Sequence, residues 1–179
     1  DQHMVQFYER IAEATARYRI MVMFHGAYKP AGMQRTYPHL ITREGALGSE
    51  FNIWSDLVTP EHDLLLPFIR QLSGPMDYEP GILDNATQQT FRSIGTKVMT
   101  QGTRSHQLAM FIVYESPLQM FSGNPSTGFR EPEFMELLGS LPTTWDELRV
   151  LRAQFSDHLV LARRHGRDWY LAAMNDWTP

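Results

Sequence analysis

The sequence predicts an α/β chain that gives way to antiparallel β structure towards its C-terminal end. Three patterns carry this reading. An amphipathic helix, a short turn and a strand apolar on both faces follow one another over residues 4–24. A second helix opens at Thr59-Pro60-Glu61. From Trp145 onward the rhythm changes to apolar runs at roughly ten-residue spacing, as hairpin-connected strands require.

In the first segment Met4, Phe7, Tyr8, Ile11, Ala14 and Tyr18 recur mostly three and four residues apart. Gln6, Glu9, Arg10, Glu13 and Arg17 fill the gaps, so one face is apolar. No capping sequence is visible ahead of this helix. Ile20-Met21-Val22-Met23-Phe24 then reads as a strand buried on both faces, the mark of a parallel sheet covered by helices. Helix, turn and buried strand make half of a β/α repeat.

His25 to about Trp54 reads as one long irregular connection, punctuated by Gly26, Pro30, Gly32, Pro38, Gly45 and Gly48. Loops of that length are functional or disordered. Tyr28, Tyr37, Phe51 and Trp54 argue for order. Thr59 is a candidate N-cap with Pro60 in the first turn, and the helix it starts runs through Leu64, Leu65, Phe68, Ile69 and Leu72. A short strand and loop follow at Pro75–Gly81. His106–Tyr114 is ambiguous: Met110–Tyr114 has strand propensity, but the length and the following Glu115-Ser116-Pro117 fit a buried helix. Leu118–Phe121 reads as another short strand and Pro132–Leu138 as a short helix.

Beyond a boundary near Pro142, Leu148–Leu151, Leu159–Ala162 and Trp169–Ala172 read as three antiparallel strands, the last two joined by a hairpin at Arg164–Asp168. The expected division is therefore 1–142 and 143–179. A three-stranded antiparallel piece has open edges. Both ends of the chain read as cut, and pairing into a homodimer through free edges is an expectation.

Composition narrows the function classes. Apolar residues make up 42% and charged residues 20%, the balance of a globular protein. The formal net charge is −4, and most of the scattered basic residues are arginines. There is thus no basic face of the kind nucleic acid needs. The basic turn at Arg163–Arg167 reads as solvated. Without cysteine, neither a disulfide framework nor a zinc-thiolate site is possible. Asp1-Gln2-His3 is not the basic start of a signal peptide. The longest apolar run, Leu108–Tyr114, falls far short of the roughly 18 residues that span a bilayer.

Several ordered blocks carry a family resemblance. They are Phe24-His25-Gly26-Ala27-Tyr28-Lys29-Pro30-Ala31-Gly32, Arg35-Thr36-Tyr37-Pro38, Thr42-Arg43-Glu44-Gly45 and Gly48-Ser49-Glu50, with further matches at Pro67–Arg70, Gly74–Tyr78, Tyr114–Met120 and Trp169-Tyr170. Together they resemble glycoside hydrolase family 97, α-glucosidases and α-galactosidases found mostly in polysaccharide-degrading bacteria. The resemblance implies an N-terminal β-sandwich, a (β/α)₈ TIM barrel and a C-terminal β domain. It makes this chain the second half of the barrel plus the start of an antiparallel β domain. Residues 20–24 become barrel strand five and 25–54 its βα loop, on the face where such barrels keep their chemistry.

Glycoside hydrolysis needs two carboxyl groups. Glu44 and Glu50 in the long loop are the candidates the residues supply, although a loop acid is commonly just solvated. By resemblance Glu50 matches the general acid. Glu44 matches a calcium-ligating carboxylate, and Glu50 touches the metal as well, so Ca²⁺ is the expected cofactor. His25, Lys29 and Arg35 are the expected substrate-binding residues, with Tyr28 and Trp54 as stacking candidates and Asp77 as a loop cap. Inverting members carry a glutamate directly after the histidine. Gly26 stands there instead, which resembles the retaining branch, whose aspartate nucleophile would fall upstream of Asp1. Turn geometry is the rival reading of Gly26.

The expected activity is exo-acting hydrolysis of α-linked terminal sugars from oligosaccharides or polysaccharides, α-galactosides ahead of α-glucosides. The parent enzyme is expected to be periplasmic or secreted, and this chain alone to be inactive. The alternatives are a non-catalytic carbohydrate-binding or interaction module, and a truncated product with no function of its own.

Overall fold

A computed structural model describes residues 1–178. Helix α1 (Gln2–Arg17) opens the chain, and Asp1 caps it by accepting a 2.8 Å hydrogen bond from the His3 N–H. The cap that the sequence reading missed is thus the first residue. The helix closes on Arg19 in the left-handed region (φ 56°), with Arg19 N–H on Ala16 O and Ile20 N–H on Thr15 O. This double bond pattern satisfies the last carbonyls and turns the chain back on itself. Residues 20 and 21 are spent in that turn, so strand β1 is only Val22–Phe24.

The segment read as one long loop holds more structure than its sequence suggests. A single helical turn, α2 (Met33–Thr36), leads to strand β2 (Leu40–Arg43), which pairs in parallel with β1. The ladder continues as a lone parallel bridge between Arg43 and Met76. Glu44 N–H donates to Phe24 O, Asp77 N–H to Arg43 O, and Met76 N–H to Glu115 O, each at 3.0 Å. Three neighbouring rungs therefore end at residues 24, 43 and 76, all pointing the same way. Leu118–Phe121 does not form a strand.

Helix α3 (Pro60–Leu65) is capped by Thr59, as its sequence indicates. Strands β3 (Asn85–Ala86) and β4 (Thr100–Gln101) form a short parallel pair. The ambiguous apolar stretch is helical: α4 (Arg104–Val113) buries Met110 and Val113 almost completely. Short helices α5 (Pro125–Gly128) and α6 (Pro132–Ser140) lead to the C-terminal sheet. Its strands β5 (Glu147–Gln154), β6 (His158–His165) and β7 (Asp168–Asn175) are antiparallel in the order β5-β6-β7.

Two apolar clusters hold these parts. In the smaller, Tyr8 and Ala12 of α1 pack on Phe24, Ala27 and Leu40, so the helix covers the β1–β2 pair. In the larger, Leu64 of α3 and Met110 and Val113 of α4 share one core with Leu159, Leu161, Ala172 and Met174 of the antiparallel sheet. The buried Arg163 side chain donates to Val113 O at 3.0 Å, satisfying a carbonyl at the end of α4. The sheet is thus fastened to α4 by burial and by a hydrogen bond.

Met110→Ala is expected to cost ~2–5 kcal/mol, because it empties a site with no solvent exposure. Chemical denaturation should show the whole transition shifted, with the C-terminal sheet unfolding together with α4. A sheet that melts independently of α4 would contradict the shared core.

Candidate active site

The site is built on strand ends. His25 is the first residue past β1, Glu44 the first past β2, and Asp77 the first past the Met76 bridge. Parallel pairing fixes those three ends side by side, so their side chains converge. The His25 Nδ1 lies 3.0 Å from Asp77 Oδ2 and 3.5 Å from Glu79 Oε1. Its Nε2 lies 3.2 Å from Glu50 Oε1 and 4.0 Å from Glu44 Oε1. One imidazole therefore stands between four carboxylates, with one pair facing each ring nitrogen.

This setting raises the His25 pKa from 6.5 to about 9. The Asp77 hydrogen bond is the main cause, partial burial opposes it, and Glu44, Glu79 and Glu50 reinforce it. The carboxyl groups of Glu44 and Glu79 are both raised, chiefly by burial. For Glu44 the Gly26 N–H, donating to Oε2 at 2.7 Å, works against that rise.

Buried groups behind the site hold it in shape. The Arg70 guanidinium, 4% exposed, bonds only to carbonyl oxygens: Arg43 O at 2.6 Å, Glu44 O at 2.8 Å, Gly74 O at 3.0 Å and Pro75 O at 3.2 Å. It ties the β2 end to the chain entering Met76. Burial lowers its pKa to about 10, which still leaves it charged at neutral pH. The guanidinium of Arg43 sits 4.5–4.8 Å from the ring centres of Tyr8, Phe24 and Tyr28, a three-ring cation–π contact that locks β2 against α1. Tyr78, between Asp77 and Glu79, donates its hydroxyl to Asp63, which also meets His106 Nε2 at 3.1 Å. The Tyr78 carbonyl accepts the Ser49 N–H at 3.1 Å, which anchors the 3₁₀ turn Ser49–Ile53 that carries Glu50.

His25, Glu44 and Glu50, named from sequence, are brought together. Lys29 and Arg35 are not paired with the cluster: the Lys29 ammonium donates to Ser73 Oγ at 3.3 Å, and neither side chain lies within 4 Å of a site carboxylate. Trp54 is 62% exposed, with its ring edge-on to Phe51, whereas the Tyr28 ring lies against Arg43 and Tyr8. Asp77 is a direct partner of His25 rather than a loop cap. Glu79 was missed altogether. No local pattern marks it: it lies in a turn past the strand end with φ +66°, so strand alternation does not place its side chain. Gly26 sits at φ +62°, so its backbone alone favours glycine. Its missing side chain therefore does not by itself distinguish retaining from inverting chemistry.

Acids gathered at the carboxyl ends of parallel strands occupy the place where α/β enzymes keep their active sites. Residues 1–46 match the glycoside hydrolase 97 model. Residues 144–179 match the model described as glycosyl-hydrolase 97 C-terminal, oligomerisation. The chain is 42% identical over 180 residues to a retaining alpha-galactosidase from Bacteroides thetaiotaomicron, matching 99% of this chain and 27% of that protein. It is 32% identical over 170 residues to a probable retaining alpha-galactosidase from Streptomyces bingchenggensis, covering 95% of this chain and 25% of the relative. Among solved structures, a family 97 enzyme from Pseudoalteromonas sp. strain K8, in complex with acarbose, superimposes with TM-score 0.86 at 36% identity over 98% of this chain and 27% of its own. A beta-arabinopyranosidase superimposes with TM-score 0.80 at 32% identity, covering 94% of this chain and 27% of the other. These matches put the chain in glycoside hydrolase family 97, of whose curated relatives it spans about a quarter of the length.

A group whose folded pKa is raised adds stability below its ordinary pKa and loses it as pH climbs through the raised value. In chelator-treated protein the His25 contribution should therefore be full below pH 6.5 and fade through about pH 9. Asp77→Asn should bring the His25 titration, followed by imidazole NMR signals, back towards 6.5. An unmoved titration would contradict the assigned role of Asp77.

Proposed function

We propose that this chain supplies the acid/base half of a retaining, exo-acting α-glycosidase site, with terminal α-galactosides as the first substrate class. The observation that carries the reading is the imidazole of His25, at the end of β1, bridging Asp77 past the Met76 rung and Glu50 on the 3₁₀ turn Ser49–Ile53. The names of the curated relatives support both the retaining course and the galactoside. In this reading the parallel strands are the second half of a (β/α)₈ barrel, and residues 143–179 begin a C-terminal β domain.

Glu50 gives its proton to the glycosidic oxygen as the bond to C1 breaks. It then takes a proton from the water that releases the sugar. The nucleophile is expected from the preceding parallel strand, in the part of the relatives' sequence that this chain does not span. His25, hydrogen-bonded through both ring nitrogens, fixes the direction of the Glu50 carboxyl at the edge of the sugar site. Lys29 and Arg35 remain candidates for contacts further from C1.

Two carboxylates, Glu44 and Glu50, offer oxygens of the kind Ca²⁺ takes. One ligand atom each from His25, Glu44 and Glu50 lie within 4.8 Å of one another, the separation that two oxygens on one such ion have. Glu44 and Glu50 would hold it, with the remaining positions filled by water and by residues beyond this chain. When bound, the ion supplies positive charge that offsets the crowded carboxylates and polarises substrate oxygen. Glu44 is kept in place for this by the Gly26 N–H.

The described residues contain no helix long and apolar enough to cross a membrane. We propose a periplasmic or secreted setting for the parent enzyme. Association of copies through the C-terminal sheet is supported by the oligomerisation model it matches and by the exposed Leu148, Val150 and Leu151 on β5.

In protein expressed from its complete gene, Glu50→Gln should lower hydrolysis of an alkyl α-galactoside about 10²–10⁴-fold. An aryl galactoside with an acidic leaving group should lose much less, because it needs little proton donation at bond cleavage. Equal losses on the two substrates would contradict the acid role. Sugar binding without turnover in the unaltered protein would support the non-catalytic module instead. Chelation should abolish turnover, and Ca²⁺ should restore it better than Mg²⁺, whose small octahedral shell suits this site poorly.

A further inference from the structure

We propose that Glu79 is a substrate-contacting, specificity-determining residue that accepts hydrogen bonds from hydroxyl groups of the terminal sugar. The proposal rests on the glycosidase reading of the site. Three observations lead to it.

First, Glu79 occupies a backbone conformation that glutamate avoids. Its φ is +66°, in the left-handed region where a Cβ crowds the neighbouring carbonyl. Pro80 follows it, and the residue before a proline is pushed towards extended backbone. Glycine would fill the position with less strain.

Second, among the described residues the carboxylate accepts no hydrogen bond and makes one long ion pair. Its nearest cation is His25 Nδ1 at 3.5 Å, and that nitrogen already serves Asp77 at 3.0 Å. Yet the side chain is 23% exposed, and burial raises its pKa. A half-buried carboxylate with one long ion pair keeps acceptor capacity for a ligand's donors.

Third, local packing holds the turn in place. Tyr78 is anchored through Asp63, and the Gly81 N–H donates to the buried Gln107 Oε1 at 2.9 Å. A Cβ on Gly81 would come within 2.5 Å of Phe121. The turn is thus fixed on both sides of Glu79, and its carboxylate is delivered to the same face as His25, Asp77 and Glu50. A strained residue held by its surroundings, with acceptor capacity left beyond its long His25 pair, fits a substrate that brings donors. Vicinal hydroxyls of a pyranose bring two.

The test uses protein expressed from its complete gene and three readouts: thermal midpoint, Ca²⁺ affinity, and kcat and KM on an aryl α-galactoside. Glu79→Gly should raise the midpoint by a few degrees, because strain and like-charge crowding are both relieved. The same change should raise KM for the galactoside about ten- to hundred-fold, the loss expected for a hydrogen bond to a charged acceptor. Glu79→Gln, which keeps the shape and loses the charge, should fall between. Ca²⁺ affinity should be unchanged in both.

Three outcomes would overturn the assignment. A Glu79→Gly protein with unaltered KM has no sugar contact at this position. A fall in Ca²⁺ affinity that tracks the KM change makes Glu79 a metal ligand instead. A lowered midpoint makes it a structural residue. Absence of galactoside turnover in the unaltered protein would defeat the glycosidase reading itself, and this assignment with it, a result distinct from the other three.

Discussion

The imidazole of His25 is the constraint on which the rest of the site depends. Four carboxylates drawn from the ends of neighbouring parallel strands and the turns beyond them repel one another. At an effective dielectric near 20, two unit charges about 4 Å apart interact by ~4 kcal/mol. One cation placed among them supplies an attractive contact to each, at 3.0 Å to Asp77, 3.2 Å to Glu50, 3.5 Å to Glu79 and 4.0 Å to Glu44. The imidazole does this without leaving the strand end that carries it. Its orientation follows from the Asp77 bond on one nitrogen and the Glu50 bond on the other.

A crowded acid site needs a rigid support, and the chain builds that support from buried polar groups. Arg70 makes its hydrogen bonds to main-chain carbonyls, so its positive charge joins two strand ends without pairing with any of the site carboxylates. Asp63 receives the Tyr78 hydroxyl and the His106 ring and is buried among them, so the turn between Asp77 and Glu79 is fixed from below. Gly45 at φ +54° lets the chain leave β2 within van der Waals contact of the Lys29 backbone, where any Cβ would collide at 2.4 Å. Glu44 is therefore aimed by backbone geometry and held by the Gly26 N–H. Local features that look unfavourable, such as positive φ, buried charge and like-charge crowding, are concentrated where the chemistry is expected.

Much of this was legible in the sequence. The spacing of Tyr8, Ile11 and Ala14 and the unbroken apolar run into Phe24 gave a helix covering a parallel strand, although the alanine that the strand pair buries is Ala12. The run of Leu159–Ala162 against Trp169–Ala172 gave the hairpin. Glu44 and Glu50 stood out as acids among glycines in a segment too long for a passive connection, but their roles and that of His25 came from the family resemblance of the surrounding blocks. The second strand was not legible: Leu40-Ile41-Thr42-Arg43 is four residues long, and its pairing partner is eighteen positions earlier, so no local pattern marks it. The strand expected at Leu118–Phe121 failed for the converse reason. Three apolar residues in four met the propensity, but the neighbouring rung was taken up at Glu115 instead. Asp77 and Glu79 were hidden because their role depends on which strand ends lie side by side, which is tertiary information.

The most direct measurement of the central claim is chemical rescue. In protein expressed from its complete gene, His25→Gly removes the cation and leaves a cavity of imidazole size between Glu50 and Asp77. The account predicts that aryl α-galactoside hydrolysis collapses in this variant and returns in part, saturably, when free imidazole is added. Turnover that survives the substitution, or a loss that imidazole leaves untouched while the fold remains intact, would contradict it.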